Sequence, residues 1–230
     1  MKYNNIEQGI FLNRPNRFIA EVLIGEDKHT VHVKNTGRCK ELLIKGANVW
    51  LEKSSNPLRK TAYDLVCVEK KTDNKSVIIN MDSQIVNDVA EEWLKNGNLF
   101  SKEALIKREV KYKNSRFDFY IESEERKIFL EVKGVTLENN GVARFPDAPT
   151  ERGIKHINEL ITAMVDGYEA YILFVIQMKG IKYFEPNDVT HKAFGDALRN
   201  AKEKGVNIIA MDCEVTPEEI VIDKEIEIRV

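Results

Sequence analysis

The run RFDFYIESEERKIFLEVK, Arg116–Lys133, decides how the second half of this chain folds. Two apolar stretches flank a polar turn, and in each the apolar residues alternate with polar ones, the period of a β-strand. With the turn centred between Glu124 and Glu125, Ile121 faces Ile128, Phe119 faces Leu130 and Phe117 faces Val132. Those six side chains then make one buried face. The other face pairs Tyr120 with Phe129, Asp118 with Glu131 and Arg116 with Lys133. A slip of one residue would set apolar side chains against polar ones, so the pattern makes Asp118 and Glu131 neighbours.

Two carboxylates directly across a sheet repel each other, and something positive must offset them. Lys133 and Arg116 stand beside them. A hard divalent cation, Mg²⁺ or Mn²⁺, is the other solution, because Mg²⁺ is held by one or two carboxylates plus water and phosphate oxygens. Asp, Glu and Lys on one sheet face are the layout for metal-assisted phosphodiester cleavage. Asp118 and Glu131 would hold the metal, and Lys133 would orient the attacking water or steady developing charge. The plain alternative for Glu131-Val132-Lys133 is an exposed ion pair, nearly neutral in energy.

Working outward, "SQIVNDVAEEWLKNGNL" before this hairpin has helical spacing and a Ser cap, and "ALIKREVKY" reads as a further strand. After it come an Asn-, Gly- and Pro-rich loop over 137–149, a helix in "TERGIKHINELITAMVDG" and the continuous apolar strand "YEAYILFVIQM". A helix in "DVTHKAFGDALRNAKEKG", the strand "VNIIAMD" and an alternating tail complete the chain. The first third is different. "RFIAEVLI", "HTVHVK", "ANVWLEK", "AYDLVCVEK" and "KSVIIN" read as five strands, with "GRCKELLIKGA" as a short helix between the second and third. That order fits a small OB-like barrel. The expectation is an α+β chain of two domains, 1–83 and 84–230.

The whole chain has 230 residues, 43% hydrophobic and 31% charged, an ordinary globular composition. Three scattered cysteines suggest neither a disulfide framework nor a zinc site, and point to a reducing, cytoplasmic setting. No apolar run is long enough for a membrane span, and no phosphate-loop or dinucleotide fingerprint is present. Net charge is −2, but residues 1–84 carry 14 Lys/Arg against 10 Asp/Glu, a balance of +4. A local basic surface of this kind matters more for nucleic-acid binding than the total. Arg14, Arg17, Arg38, Lys40, Arg59 and Lys60 are the candidate phosphate contacts, with Trp50 either a stacking residue or core. Oligomeric state stays open, a homodimer included.

An Asp followed by Glu-x-Lys on the next strand, in an α-β-β-β-α-β order, resembles the PD-(D/E)XK nuclease superfamily, with Phe117 where that pattern has Pro. "NTGRCKELLIKGANVWLEKSSNPLRKTAYDL", "REVKYKNSRFDF", "EVKGVTL" and "FPDAPTERGIKHINEL" resemble the sugar fermentation stimulation protein family (SfsA) over nearly the whole chain. The resemblance implies an OB-like first domain, a restriction-endonuclease-like second domain, DNA binding and a regulatory role in sugar use. It sets Asp118, Glu131 and Lys133 on the superfamily's metal and lysine positions. It also implies a further metal-binding Glu on the preceding helix, Glu92 first and Glu91 second. In "FPDAPTERGIKH", Asp147, Thr150, Arg152, Lys155 and His156 can reach the same cleft. Arg152 near a helix start suits a phosphate, while Thr150 also reads as a cap. The leading expectation is a DNA-binding, Mg²⁺-dependent nuclease acting on single- or double-stranded DNA. The alternative is a non-catalytic DNA-binding regulator with little sequence preference.

Overall fold

The computed structural model of the protein describes residues 1–35, 37–72 and 75–230. Its first part holds β1 (Ile6–Asn16), β2 (Ile19–Ile24), β3 (Asp27–Val33), β4 (Asn48–Lys53), β5 (Tyr63–Thr72) and β6 (Lys75–Asn80). The strands order β3-β2-β1-β4-β5-β6, and β3 also pairs in parallel with β5 at His32–Asp64 and Val33–Leu65. That second pairing closes β1 to β5 into a five-stranded barrel and leaves β6 as an extension of β5.

The barrel's strands are therefore not the five expected. β1, which pairs with both β2 and β4, lies ahead of "RFIAEVLI", the expected first strand. Gly9, Pro15 and several Asn residues look like loop, and register shifts between Phe11 and Asn16 break the alternation. Gly9 has a structural reason: a Cβ there would lie 2.5 Å from Val22 Cγ1 and 2.9 Å from the Leu23 carbonyl oxygen. The helix expected over "GRCKELLIKGA" is instead a series of turns that buries Leu42 and Leu43 against the barrel.

The second part runs α1 (Val86–Lys95), β7 (Leu105–Tyr112), β8 (Ser115–Ser123), β9 (Arg126–Val135), β10 (Leu137–Asn139), β11 (Val142–Phe145) and α2 (Glu151–Val165). It continues through β12 (Glu169–Ile176), β13 (Tyr183–Pro186), α3 (Asp188–Glu203), β14 (Asn207–Val215), β15 (Ile220–Glu225) and β16 (Glu227–Ile228). The main sheet orders β15-β14-β12-β9-β8-β7, with β9, β12 and β14 mutually parallel. On one face, α1 packs Val86, Val89, Ala90 and Leu94 against Phe119, Ile121, Ile128, Leu130 and Val132. On the other, α2 and α3 pack Ile157, Leu160, Phe194 and Leu198 against Phe117, Phe129, Ile172 and Phe174. Barrel residues join both clusters, so the apolar core runs through from one part to the other.

Local chemistry sets the helix starts. Thr150 caps α2 as read, its Oγ1 accepting the Gly153 N–H at 3.0 Å. Ser83 does not cap α1; its hydroxyl donates to the Lys34 carbonyl at 2.6 Å, and Ile85 stands at the N-cap with no side-chain bond. The segment expected to be loop, 137–149, contains β10 and β11, which join β13 and β16 in a four-stranded sheet. Strands of two to four residues are too short to show a period.

The β8–β9 hairpin has the expected register, with Ile121 on Ile128 and Phe119 on Leu130. Its single apolar face does not extend to Phe117. That ring packs on the α2 side, with its centroid 5.1 Å from Phe129 and 5.9 Å from Tyr112. On the neighbouring β7, Glu109 takes φ +57° between the Arg108–Phe119 and Val110–Phe117 pairs. A left-handed residue in a strand kinks it, and here side chains on both strands change faces at the level of Asp118.

Candidate active site

Asp118 stands where the hairpin opens. The paired register of β8 and β9 runs from Ser123–Arg126 to Phe119–Leu130. Beyond it the Val132 N–H donates to Asp118 Oδ2 at 2.7 Å. Asn87 of α1 donates to the other oxygen, Oδ1, at 2.8 Å. Glu131 is reached from the opposite helix layer. Its Oε1 accepts from Lys133 Nζ and from His156 Nδ1, both at very short range. The two acids thus do not stand side by side on one flat face, as the hairpin pattern alone suggested. They flank the parted strands, Asp118 held from the α1 side and Glu131 from the α2 side.

Their charges still meet. Burial and the charge of Glu131 push the Asp118 carboxyl up to about 6, against the opposing pull of the Val132 N–H, Lys133 and Asn87. Glu131 is 3% exposed. Burial works against its charge too, but Lys133 and the His156 hydrogen bond outweigh it and hold its carboxyl below the usual range. Its second oxygen, Oε2, is buried with no hydrogen-bond partner among the described residues. An unpaired buried carboxylate oxygen is costly. Beside a carboxyl of raised pKa, that orphaned oxygen marks a place short of positive charge. No group of three or more His, Cys, Asp or Glu side chains among the described residues is placed to hold a metal ion. Asp118 and Glu131 are the two carboxylates that could take part in holding an ion, and Mg²⁺ uses one or two carboxylates plus water and phosphate.

Behind Glu131 runs a short relay. Glu131 accepts from His156 Nδ1, so the ring carries its proton there, and Nε2 faces the Arg152 Nε–H at 3.4 Å as an acceptor. His156 is buried and Arg152 exposed. The helical spacing of four places both on one side of α2.

The other residues singled out from the sequence fall in several places. Glu92 does not reach Asp118: its Oε2 accepts the amino group of Met1 at 2.8 Å. Glu91 pairs with Lys95 and Arg108. The α1 side chain that touches the acids is Asn87, one turn earlier and uncharged. Lys155 points away, donating to the Asn114 carbonyl at 2.8 Å. Asp147 and Thr150 line a cavity of about 330 Å³ that also takes in Gly134, the residue after Lys133. Asp147 Oδ2 accepts the Arg38 N–H at 3.2 Å, tying the loop before α2 to the barrel.

Among the basic candidates, Arg14 is a structural pin. Its guanidinium donates to the carbonyls of Arg17, Asn35, Gly37 and Arg38 at 2.7–2.9 Å. Arg59 is committed to Asp64 through two hydrogen bonds of 2.9 and 2.6 Å. Lys60 is exposed on a separate loop. Arg17, Arg38 and Lys40 share one cavity of about 430 Å³ with Arg14. Trp50 is half-buried against the α1-side cluster, away from that cavity.

Comparison with known proteins agrees with this architecture from end to end. Residues 12–79 match the family model described as the SfsA N-terminal OB domain, and residues 84–219 match the sugar fermentation stimulation protein RE domain. The chain belongs to the sugar fermentation stimulation protein (SfsA) family. A sugar fermentation stimulation protein homolog of Ruminiclostridium cellulolyticum is 58% identical over 229 residues, covering 100% of both chains. One from Clostridium beijerinckii is 58% identical over 228 residues, covering 99% of each. The solved structure of Pyrococcus furiosus SfsA in complex with Ca²⁺ superposes with a TM-score of 0.88 at 30% identity, covering 100% of this chain and 98% of that one.

Asn87, which touches Asp118, was not singled out from the sequence, and Arg14, expected to contact phosphate, is an internal pin instead. An Asn inside a helix and an Arg in a Pro-Asn turn carry no signal for the role that each takes. Only the meeting of distant segments assigns it.

Proposed function

We propose that this SfsA-family protein is a divalent-cation-dependent nuclease of the PD-(D/E)XK kind acting on nucleic acid, with its site at Asp118, Glu131 and Lys133. The observation that carries this reading is the buried, unpartnered Oε2 of Glu131 beside Asp118, whose carboxyl burial and Glu131 push up to about 6. Asp118 and the free oxygen of Glu131 would hold Mg²⁺ or Mn²⁺. When bound, that ion lowers the pKa of a water and offsets charge on the attacked phosphate.

The chain's own groups do the rest. Lys133 Nζ, bonded to Glu131 Oε1, puts an ammonium beside the acids, where it orients the attacking water or steadies developing negative charge. The Nδ1–H of His156 fixes the Glu131 carboxylate, leaving Oε2 free. Arg152, exposed near the start of α2, is a phosphate ligand within reach of His156. The Ca²⁺ in the solved P. furiosus relative supports a hard-cation site in the family.

The experiment is cleavage of labelled single- and double-stranded oligonucleotides by the purified protein with Mg²⁺ or Mn²⁺. Cleavage falls at least about a hundredfold in Asp118→Ala and in Lys133→Ala, while retention of the oligonucleotide persists. Equal cleavage by wild type and Asp118→Ala removes the proposal. Binding without cleavage under any divalent ion leaves the protein a DNA-binding regulator.

A further inference from the structure

The cavity at the barrel's outer edge has features that the acid site does not use. Arg14 turns four carbonyls inward and so clamps the β1–β2 turn against the loop that follows β3. Around that pin, Arg17, Arg38 and Lys40 are exposed, and none of them pairs with a carboxylate side chain among the described residues. Most other arginines in the chain do pair. Phe18, next in the chain to Arg17, projects into solvent, 51% exposed, with the Arg17 guanidinium 5.8 Å from its ring centroid. An exposed aromatic ring against Arg17, which shares its cavity with two further unpaired cations, is a combination that binds unpaired bases and their phosphates.

The cavity also leads somewhere. Gly37 and Ala148 line both it and the neighbouring cavity that contains Gly134, next in the chain to Lys133. Gly37 is the tight point between the two, since a Cβ there would lie 2.3 Å from Asp147 Oδ2.

We infer that this cavity binds an unpaired nucleotide of a single strand, with Phe18 stacked on the base and Arg17, Arg38 and Lys40 on the flanking phosphates. The strand then runs past Gly37 and Ala148 toward the acids. The inference rests on the nucleic-acid part of the function proposed above. It selects single strands because a base inside a duplex is stacked on both faces and offers none to Phe18. DNA and RNA strands share the required chemistry. Phe18, not Trp50, is the stacking residue.

The test is fluorescence anisotropy in chelator, so that no cleavage occurs, with labelled oligo-dT, oligo-rU and a DNA duplex of equal length. Phe18→Ala weakens binding of a single strand about tenfold or more, Phe18→Trp restores it, and duplex affinity and melting temperature do not change. Loss with one of the two single strands identifies the sugar and supports the site. Arg38→Ala lowers the slope of log affinity against log salt by about 0.7. Unchanged single-strand affinity in Phe18→Ala, or an equal loss for duplex, overturns the inference. So does a wild-type protein that binds neither single strand. Because binding is read without metal, failure of cleavage alone leaves this result standing and sinks only the nuclease reading.

Discussion

Two of the acid clusters among the described residues, one at the barrel seam and one at the hairpin opening, are solved in opposite ways. At the barrel seam, Asp64 accepts two hydrogen bonds from Arg59, lies 3.0 Å from His32 Nδ1 and 3.4 Å from Lys34 Nζ, and shares Lys34 with Asp82. Burial works against the Asp64 charge, but Arg59, Lys34 and His32 overrule it and hold the carboxyl below the usual range. At the hairpin opening, Lys133 and His156 both bond Glu131 Oε1, its other oxygen is buried without a partner among the described residues, and the neighbouring Asp118 is pushed up to about 6. Both clusters are buried, acidic and within reach of basic side chains. The first is balanced and therefore structural. The second leaves a buried carboxylate oxygen without a partner among the described residues, beside a carboxyl of raised pKa, the kind of perturbed group that clusters at functional sites.

The comparison breaks most visibly through Asp64→Asn. Removing one partner of a buried ion cluster leaves Arg59 and Lys34 undercompensated, at a cost of about 3 kcal/mol. In a chain of this size that lowers the melting midpoint by roughly 6–12 °C, read by calorimetry, with the cleavage rate at low temperature unchanged. A stable Asp64→Asn protein would show that the balanced cluster is not what holds the seam.

The opposite sign is expected at Asp118. Its folded pKa lies above the ordinary value of 3.8, so the proton stabilises the fold. That contribution is complete below pH 3.8 and is lost as pH rises through about 6. In metal-free buffer at pH 8, Asp118→Asn gains roughly 1–3 kcal/mol over wild type, and the gain disappears in the acid range. Denaturant midpoints across pH measure it. Mg²⁺ or Ca²⁺ should raise the wild-type midpoint by mass action and leave that of Asp118→Asn in place. A destabilised Asp118→Asn at pH 8 would put Asp118 in the balanced class.

His156 sharpens the contrast on the other acid. His156→Ala leaves Lys133 alone to hold Glu131 Oε1, and cleavage should fall about 10- to 100-fold while single-strand binding in chelator holds. His156→Asn, which keeps a donor, recovers part of the rate. An equal loss of rate and binding would make His156 a packing residue only. The smallest effect belongs to Glu92→Gln, which loses an exposed pair with the amino group of Met1. Stability should stay within about 0.5 kcal/mol, and metal-dependent cleavage should not move.

Legibility followed the range of the interactions. The β8–β9 register and the Thr150 cap depend on residues close along the chain, and both could be read from it. β1 could not, because Gly9 and the irregular register that bend it into the barrel look like loop. β10, β11 and β13 are too short to display a period. Phe117 went to the unexpected face because Glu109, on another strand, takes a left-handed conformation beside it.

Alternation and spacing, by themselves, determined that a charged hairpin lies within an apolar sheet and that a small barrel precedes it. Only the tertiary structure decided that the acids flank parted strands rather than share one flat face. It alone chose Asn87 over Glu92, made Arg14 a pin and left Phe18 in water against Arg17. The physical reason is distance along the chain. A side chain's period is set by its own strand or helix, but its partner, and so its charge state and role, comes from segments that meet only after folding.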